Sequence, residues 1–464
     1  MQKLIAKYGL AAHLALLAVA PLFLFPFCTD GSIAFVLIWL ALPAALWTVL
    51  EPSIRGGERL HEARRRVARA IFRDPLCWAS LVLVAFTGFR ALNTGIMLSY
   101  DAETAAWFVS TPPFPILPGV VDASGDLPFA VSLACAVLMQ ACRHSLGRSA
   151  RMAFLLVSSF LSGLASLIAL GALYEKVPGV ERLLSLAGEG GFSFLGFAFG
   201  LYLVGGLVAL VAIFENRWRM SFLMLMPAIG GNAAGLFAFA PPYLSAALAV
   251  GGLVTLAYAF GYACKAYPAS DGFKLMVIGG MALALGGLLV AAILPKTVLD
   301  ERLAAFTRFD LFPEHFWESR AALSAVAFKS WVKHIWIGTG IASFPLDFRF
   351  AAHESDWALF PRGAVAPSNG WWLLLTERGL VGTVFFVLPF GFLLFTYFRR
   401  LIGGVRGWML PHPAALVAPV TLSLFVAAGF VDCSLLRVEV VMAMCAFLAV
   451  SAASFQRLRG GRDG

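Results

Sequence analysis

Charge is what this sequence has least of. Only 13% of its 464 residues are Asp, Glu, Lys or Arg, against 60% that are hydrophobic, which is more apolar surface than a water-soluble domain of this length can bury. Cysteine is sparse as well: seven residues, mostly inside apolar runs and with no CxxC or Cys/His spacing. That pattern excludes a zinc ribbon and a disulfide framework, although Cys28 and Cys433 both fall at helix ends on one expected side of the membrane. No carboxylate pair has Mg²⁺-site spacing, so no metal and no other cofactor is expected. An internal repeat is also missing, which counts against a transporter assembled from two similar halves.

What the chain has in quantity is long apolar runs. They recur at roughly 18 to 25 residues, the length a helix needs to cross a hydrocarbon core of about 30 Å, and they are too long and uniform for barrel strands. The expected fold is an all-α polytopic membrane protein of about twelve helices, near 8–28, 32–50, 76–98, 127–142, 152–173, 191–214, 220–240, 243–264, 275–294, 380–398, 414–431 and 435–455. The first of these, preceded by Lys3 and Lys7, has no small-x-small cleavage site after it and is kept as a helix.

With that layout, Lys and Arg outnumber Asp and Glu by 22 to 7 on the side of the N-terminus, and number 13 against 19 everywhere else. The positive-inside rule then places both termini in the cytoplasm. It also explains the net charge of +9 without a nucleic-acid partner: Arg64, Arg65 and Arg66 face lipid headgroups. Three stretches organise the chain: residues 1–294 with helices one to nine, an outer segment 295–379, and residues 380–464 with helices ten to twelve and a basic tail. A shorter outer connection, 99–126, carries Pro112, Pro113, Pro115 and Pro118.

The outer segment holds six of the twelve tryptophans, Trp317, Trp331, Trp336, Trp357, Trp371 and Trp372, a composition that suits an ordered cap better than a linker. Trp371 and Trp372 fit the membrane interface belt; Trp317 and Trp331 fit either packing or stacking on a sugar. Pro313 to about Ile335 reads as a helix with Pro in its first turn, Glu314 at its positive end and Gly338 and Gly340 beyond its stop. At 100° per residue Phe316, Trp317, Leu323, Ala327 and Trp331 share one face, Glu318, Lys329 and Lys333 the other. Arg320 lies in the middle of the apolar face, so it needs an anion: a carboxylate of the segment, or a substrate phosphate gripped by the guanidinium fork. Arg90 lies deep in the third apolar run, where a charge either faces a cavity or snorkels to the interface. Arg437 is expected to pair with Asp432 or Glu439.

The run ESRAALSAVAFKSWVKHIWIGTGIASF, followed by PSNGWWLLLTERGLVGTVFFVLPF, resembles the signature of the O-antigen ligase and polymerase superfamily, over about 75 residues. The matching residues are Arg320, Gly338, Gly340, Phe344, Asn369, Glu377, Gly379 and Gly382. The family also has about twelve helices with its main outer loop between the ninth and tenth. Two positions depart from the pattern. Ser368 stands where the family has a histidine, and the junction around Pro241 and Tyr243 lacks the family's Ser-Arg-Gly.

The resemblance implies a bacterial inner-membrane glycosyltransferase moving a glycan from an undecaprenyl-diphosphate donor to a glycan or glycolipid acceptor. Such a reaction needs cations for the diphosphate and activation of an acceptor hydroxyl. Arg320 is the first candidate for the diphosphate, with Arg90 and Arg378 in support and Ser368, Asn369, Trp317 and Trp331 as further substrate contacts. Glu377, His353 and His334 are the candidate bases. Two other classes stay open: a transporter or flippase of lipid-linked glycans, and an inactive scaffold of a polysaccharide assembly complex, which the Ser368 substitution would suit.

Overall fold

The computed structural model describes residues 2–52, 54, 58–93, 98–101, 106–109, 123–175, 193–216, 222–266, 269–294, 296–308, 310–312, 315–340, 343–360, 364, 366–405, 413–433 and 437–455. The chain is helical. The elements are α1 (Gln2–Leu24), α2 (Asp30–Leu50), α3 (Leu60–Phe72), α4 (Pro75–Ala91), α5 (Ala123–Cys142), α6 (Arg148–Glu175), α7 (Ser193–Asn216), α8 (Phe222–Leu225), α9 (Asn232–Phe239), α10 (Pro242–Ala266), α11 (Ala269–Ile293), α12 (Lys296–Thr307), α13 (Phe316–Lys333), α14 (Phe344–Ala351), α15 (Glu354–Leu359), α16 (Gly370–Val405), α17 (Pro413–Val431) and α18 (Val438–Phe455). One antiparallel hairpin pairs Leu98–Asp101 with Ala106–Val109.

Among the described residues five helices are long and apolar enough to cross a bilayer, or six if the bent pair α3–α4 is one span; Tyr8–Leu24, Met276–Ala292, Val420–Val431 and Val438–Val450 are shorter apolar helices. Helices of this length and apolarity make this a helical membrane protein. Burial sorts the helices. In α7 the span Ser193–Leu210 is 94% buried, whereas Gly31–Leu50 in α2 is only 28% buried, leaving Phe35, Trp39, Leu46 and Val49 exposed. A helix apolar all round can be either central or lipid-facing; small partners decide for α7, which packs against α6, α9, α10 and α18. Asn232 ties the centre together. Its amide donates to Ser159 O at 2.8 Å and Ala228 O at 2.7 Å and accepts from Ser162 Oγ at 2.8 Å. These bonds satisfy backbone groups beside the π-helical turn Met226–Gly231, an irregularity lipid alone would not tolerate.

Several boundaries differ from expectation. The 51–75 connection contains α3, whose Ala63 and Val67 are buried while Arg64, Arg65 and Arg69 are exposed; a 3.6-residue period in a stretch this basic marks an interfacial helix. Helix α4 stops at Ala91, and the 220–240 run is broken by the π-turn. The prolines at 112, 113, 115 and 118, and also Pro313 and Glu314, lie outside the described residues. Cys28 and Cys433 are separate thiols, not a disulfide. Arg437 faces Glu439, at 3.6 Å.

Among the described residues of 295–379, helices α13 to α15 form a cap with a small core of its own, Val326, Ala327, Phe344, Phe348 and Ala364, while α12 packs on α10 and α11. The cap's inward stripe on α13 is Phe316, Val326, Ala327 and Ser330.

Candidate functional site

The cap and the membrane bundle meet at a backbone crossing. Helix α16 is interrupted at Gly379, where φ is 64° and ψ is −173°, a region open essentially to glycine alone. The freed groups are satisfied by the turn after α13. Thr339 N–H donates to Thr376 O at 2.7 Å and Gly340 N–H to Glu377 O at 3.1 Å, while Leu380 and Val381 donate to Ile335 O at 2.8 Å and Trp336 O at 3.0 Å. Gly338, with φ 75°, lies against Gly379 so closely that a Cβ on either would come within 2.5 Å of the other's backbone nitrogen. The two glycine signatures, some 40 residues apart in sequence, are therefore the two halves of one joint. Gly370–Arg378 is a half-helix, N-capped by Asn369, whose Oδ1 accepts from Trp372 N–H at 2.8 Å. Asn369 acts as this cap.

Arg320 sits beside the start of that half-helix. Its guanidinium donates to Ser368 O and Val431 O, lies 4.1 Å from the ring centre of Phe316 and hydrogen-bonds the Tyr243 side chain. Ser368 Oγ is 2.7 Å from Ser324 Oγ. Cys433, donating to Pro367 O at 2.7 Å, is pushed well above the usual thiol range first by burial and then by Asp432, while Arg320 opposes and Glu377 adds to the rise. Arg320, Asp432 and Glu377 thus share one neighbourhood. The carbonyls of Ser368 and Val431 orient the Arg320 guanidinium, and the two carboxylates lie in its vicinity. Tyr243, Asp432 and Cys433 were not among the expected site residues. Tyr243 was visible only as the odd residue of the FAPPYLS junction; the other two come from a helix junction brought in by tertiary packing.

Arg90 and Arg378 form a second basic group. Arg90, in the last turn of α4 and 1% exposed, donates to Ile337 O at 2.8 Å instead of snorkelling. Arg378, 2% exposed, donates to Thr87 Oγ1 at 3.2 Å and lies over Phe129 at 4.6 Å. Thr87 is one turn before Arg90, so both guanidiniums brace the joint from within. Glu377, 5% exposed, lies beside them in sequence on the last turn of the half-helix.

The remaining candidates separate. His353 is exposed and its Nε2 is 2.7 Å from Lys329 Nζ, on the polar face of α13. His334 is exposed and caps α13. Trp317 is 65% exposed, against Phe312 and Phe316, so it does not belong to the buried stripe. The stripe turns toward α14, a partner that an isolated helical projection cannot supply. Trp331 meets Trp372 at 6.3 Å and its Nε1 donates to Ile335 O at 3.2 Å, a packing role at the joint.

Asp347, on α14, was not anticipated. Thr339 Oγ1 donates to its Oδ2 at 3.0 Å. Burial raises its carboxyl above the usual range, and Thr339, Lys333, His334 and Ser343 only partly offset this.

One further charged cluster lies at the opposite end of α4. Asp74 caps α4 by accepting from Leu76 N–H at 3.1 Å and also takes the Arg143 guanidinium and His144 Nε2, the latter at 2.9 Å. Arg143 continues to Gln140 Oε1 at 2.8 Å, and Gln140 to Cys445 O at 2.9 Å. Asp74, Cys77 and His144 have donor atoms within 4.8 Å of one another, a metal-like set. Arg143 already neutralises the carboxylate, so the arrangement is a closed ion pair that fixes the bend of α3 against α4. Burial pushes Asp74 up, yet His144 and Arg143 outweigh it and hold the carboxyl below the usual range.

No protein-family model matches the sequence, and no curated protein matches it.

Proposed function

We propose that this protein is an inner-membrane glycosyltransferase that moves a glycan from an undecaprenyl-diphosphate donor to a glycan or glycolipid acceptor on the outer face. In this reading about twelve helices span the membrane, counting the bent pair α3–α4, the four shorter apolar helices, α5 and the broken run α8–α9, both termini are cytoplasmic, and the cap over α16 is external. The observation that carries the reading is Arg320: half-buried, aimed by two main-chain carbonyls and an aromatic face, and placed beside the positive end of the Gly370–Arg378 half-helix. A diphosphate docked there gains charge stabilisation where it develops as the glycosyl bond breaks.

The acceptor hydroxyl oxygen attacks the anomeric carbon, the bond from that carbon to the diphosphate oxygen breaks, and polyprenyl diphosphate leaves with the electron pair. The hydroxyl proton passes to a base. Glu377 is the base of choice because, of the three expected candidates, it alone shares the Arg320 neighbourhood. His353 is engaged by Lys329 and His334 is exposed. Ser368 has no useful basicity and at most orients the acceptor. Arg90 and Arg378 support the joint that carries Glu377. A broken helix is also a transporter feature, but here the break is filled by cap backbone and offers no site to a cargo.

The test is transfer from a synthetic undecaprenyl-diphosphate glycan by the purified protein in nanodiscs, read as release of polyprenyl diphosphate. Donor consumption that falls at least about tenfold in Arg320→Lys at normal membrane levels supports the reading. A wild-type protein that consumes no donor but co-purifies with polysaccharide assembly proteins replaces it with the scaffold role.

A further inference from the structure

Helix α13 carries two apolar faces, although packing of the cap uses only one. The buried stripe of Phe316, Val326, Ala327 and Ser330 faces the cap core. At 100° per residue, Trp317, Ala321, Ala325, Phe328 and Val332 fall within an arc of about 80° on a different side. All five are exposed, Trp317 by 65%, Phe328 by 50% and Val332 by 46%. The charged residues Glu318, Lys329 and Lys333 occupy a separate sector beside this band. A cap helix that met only water on its outer side would be polar over that whole side. A continuous apolar band along one helix marks a surface that something covers.

Three observations select what covers it. First, the band meets the lipid-facing surface of α16. Ile335 and Trp336, 39% and 65% exposed, extend it past the end of α13, and their carbonyls accept the N–H groups of Leu380 and Val381 at 2.8 and 3.0 Å. From that seam Leu380, Val384, Val387 and Leu388, all exposed, run down α16 at helical spacing within the apolar span Gly370–Phe392. Second, the band has the composition of a membrane interface. Trp317 and Trp336 stand exposed at its two ends, as indoles do at headgroup level. Lys329 and Lys333, along its edge, are long enough to lay their stems on the apolar surface and present ammonium groups to phosphates. Third, the band is firmly backed. Phe328 meets Trp372 edge to face at 6.1 Å and Trp331 at 6.1 Å, so its apolar side chains are set in place by the joint and have no inward site to turn into.

We infer that α13 lies in the bilayer interface, its Trp317-to-Val332 face against phospholipid acyl chains just below the headgroups and its lysines at the phosphates. The cap is then seated on the membrane along the length of α13. Arg320 lies on the border between this band and the buried stripe, and the seating holds it at headgroup depth. The inference needs only the membrane that α16 crosses and does not rest on the transferase reading.

The test places the photoreactive residue p-benzoylphenylalanine at Phe328, and separately at Val332, Lys329 and Val384, in the full-length protein. Each variant is irradiated in nanodiscs of phosphatidylethanolamine and phosphatidylglycerol, and intact masses are measured. Val384, on the exposed face of α16, is the reference for lipid contact. Adducts of one phospholipid are expected at Phe328 and Val332 as at Val384, with loss of the adduct at Lys329, one residue on and in the charged sector. Val332 repeats the test should the Phe328 variant fail to accumulate. Lipid adducts at Val384 with none at Phe328 and Val332 overturn the inference by placing the band in water. Chain-to-chain cross-links at Phe328 and Val332 overturn it in favour of a second copy of the protein. Glycan transfer, present or absent, changes neither result.

Discussion

Two groups of buried or half-buried charge have different characters. In one, at the start of α4, Asp74, Arg143, His144 and Gln140 close on one another, with the Arg143 guanidinium paired directly to the Asp74 carboxylate. In the other, Arg320 is aimed by main-chain carbonyls and a phenyl face, with Asp432 and Glu377 in the same neighbourhood. A directly bonded ion pair makes structure; a half-buried guanidinium aimed by carbonyls can exchange a nearby carboxylate for a ligand anion. That contrast, and not the mere presence of charge in an apolar chain, separates the bend of α3–α4 from the candidate site.

The contrast breaks most visibly at Asp74. Asp74→Ala leaves Arg143 buried without its anion and should cost about 3–5 kcal/mol, seen as loss of protein from the membrane and a large fall in thermal stability. Acid should imitate it. Because the folded carboxyl is held below its ordinary value of 3.8, this stability is complete above that value and disappears as pH falls through the lowered one.

Next in size is Gly379→Ala, where a left-handed backbone and a clash with Gly338 act together, costing on the order of 1–3 kcal/mol. Melting of the purified protein measures it. An alanine variant as stable as wild type would mean that the cap does not grip α16 as described.

Arg320→Lys and Glu377→Gln should leave stability nearly intact and each slow transfer at least about tenfold, about 1.4 kcal/mol of barrier, while His353→Ala and Ser368→Ala stay near wild type. A loss of Arg320→Lys protein from the membrane, with unchanged specific activity, would move Arg320 into the structural class with Arg143.

The smallest effect is expected at Asp347. Its folded carboxyl is raised, so the folded state prefers the proton and ionisation costs stability as pH rises from 3.8 through the raised value. Asp347→Asn keeps an acceptor for Thr339 and removes that cost. It should be more stable by roughly a few tenths of a kcal/mol at neutral pH, with the advantage vanishing as pH falls toward 3.8.

Much of the fold was legible because lipid imposes a crude code: apolar runs gave helices. The motif residues Gly338, Gly340, Gly379 and Arg320 were legible too, since glycines at a helix stop and an arginine on an apolar face are local anomalies. What stayed hidden was pairwise. Nothing in the sequence says that Gly338 touches Gly379, that Asp432 and Cys433 come from a distant junction to Arg320, or that Lys329 occupies His353. Helix α3 was passed over because a search for apolar runs does not see two inward residues among four arginines, and Trp317 was assigned inward because its helix was projected without α14 beside it.

The joint at Gly338 and Gly379 also has a mechanical meaning. Four main-chain hydrogen bonds concentrated within six residues on each side act as a rivet, and a riveted plate cannot slide. The α13–α16 half of the cap must therefore travel with the membrane helix that begins at Leu380, and any opening falls to the side fastened by side chains. That side is α12, whose Arg302 donates to Phe237 O at 3.2 Å and Ala238 O at 3.1 Å at the end of α9 and so holds it like a latch.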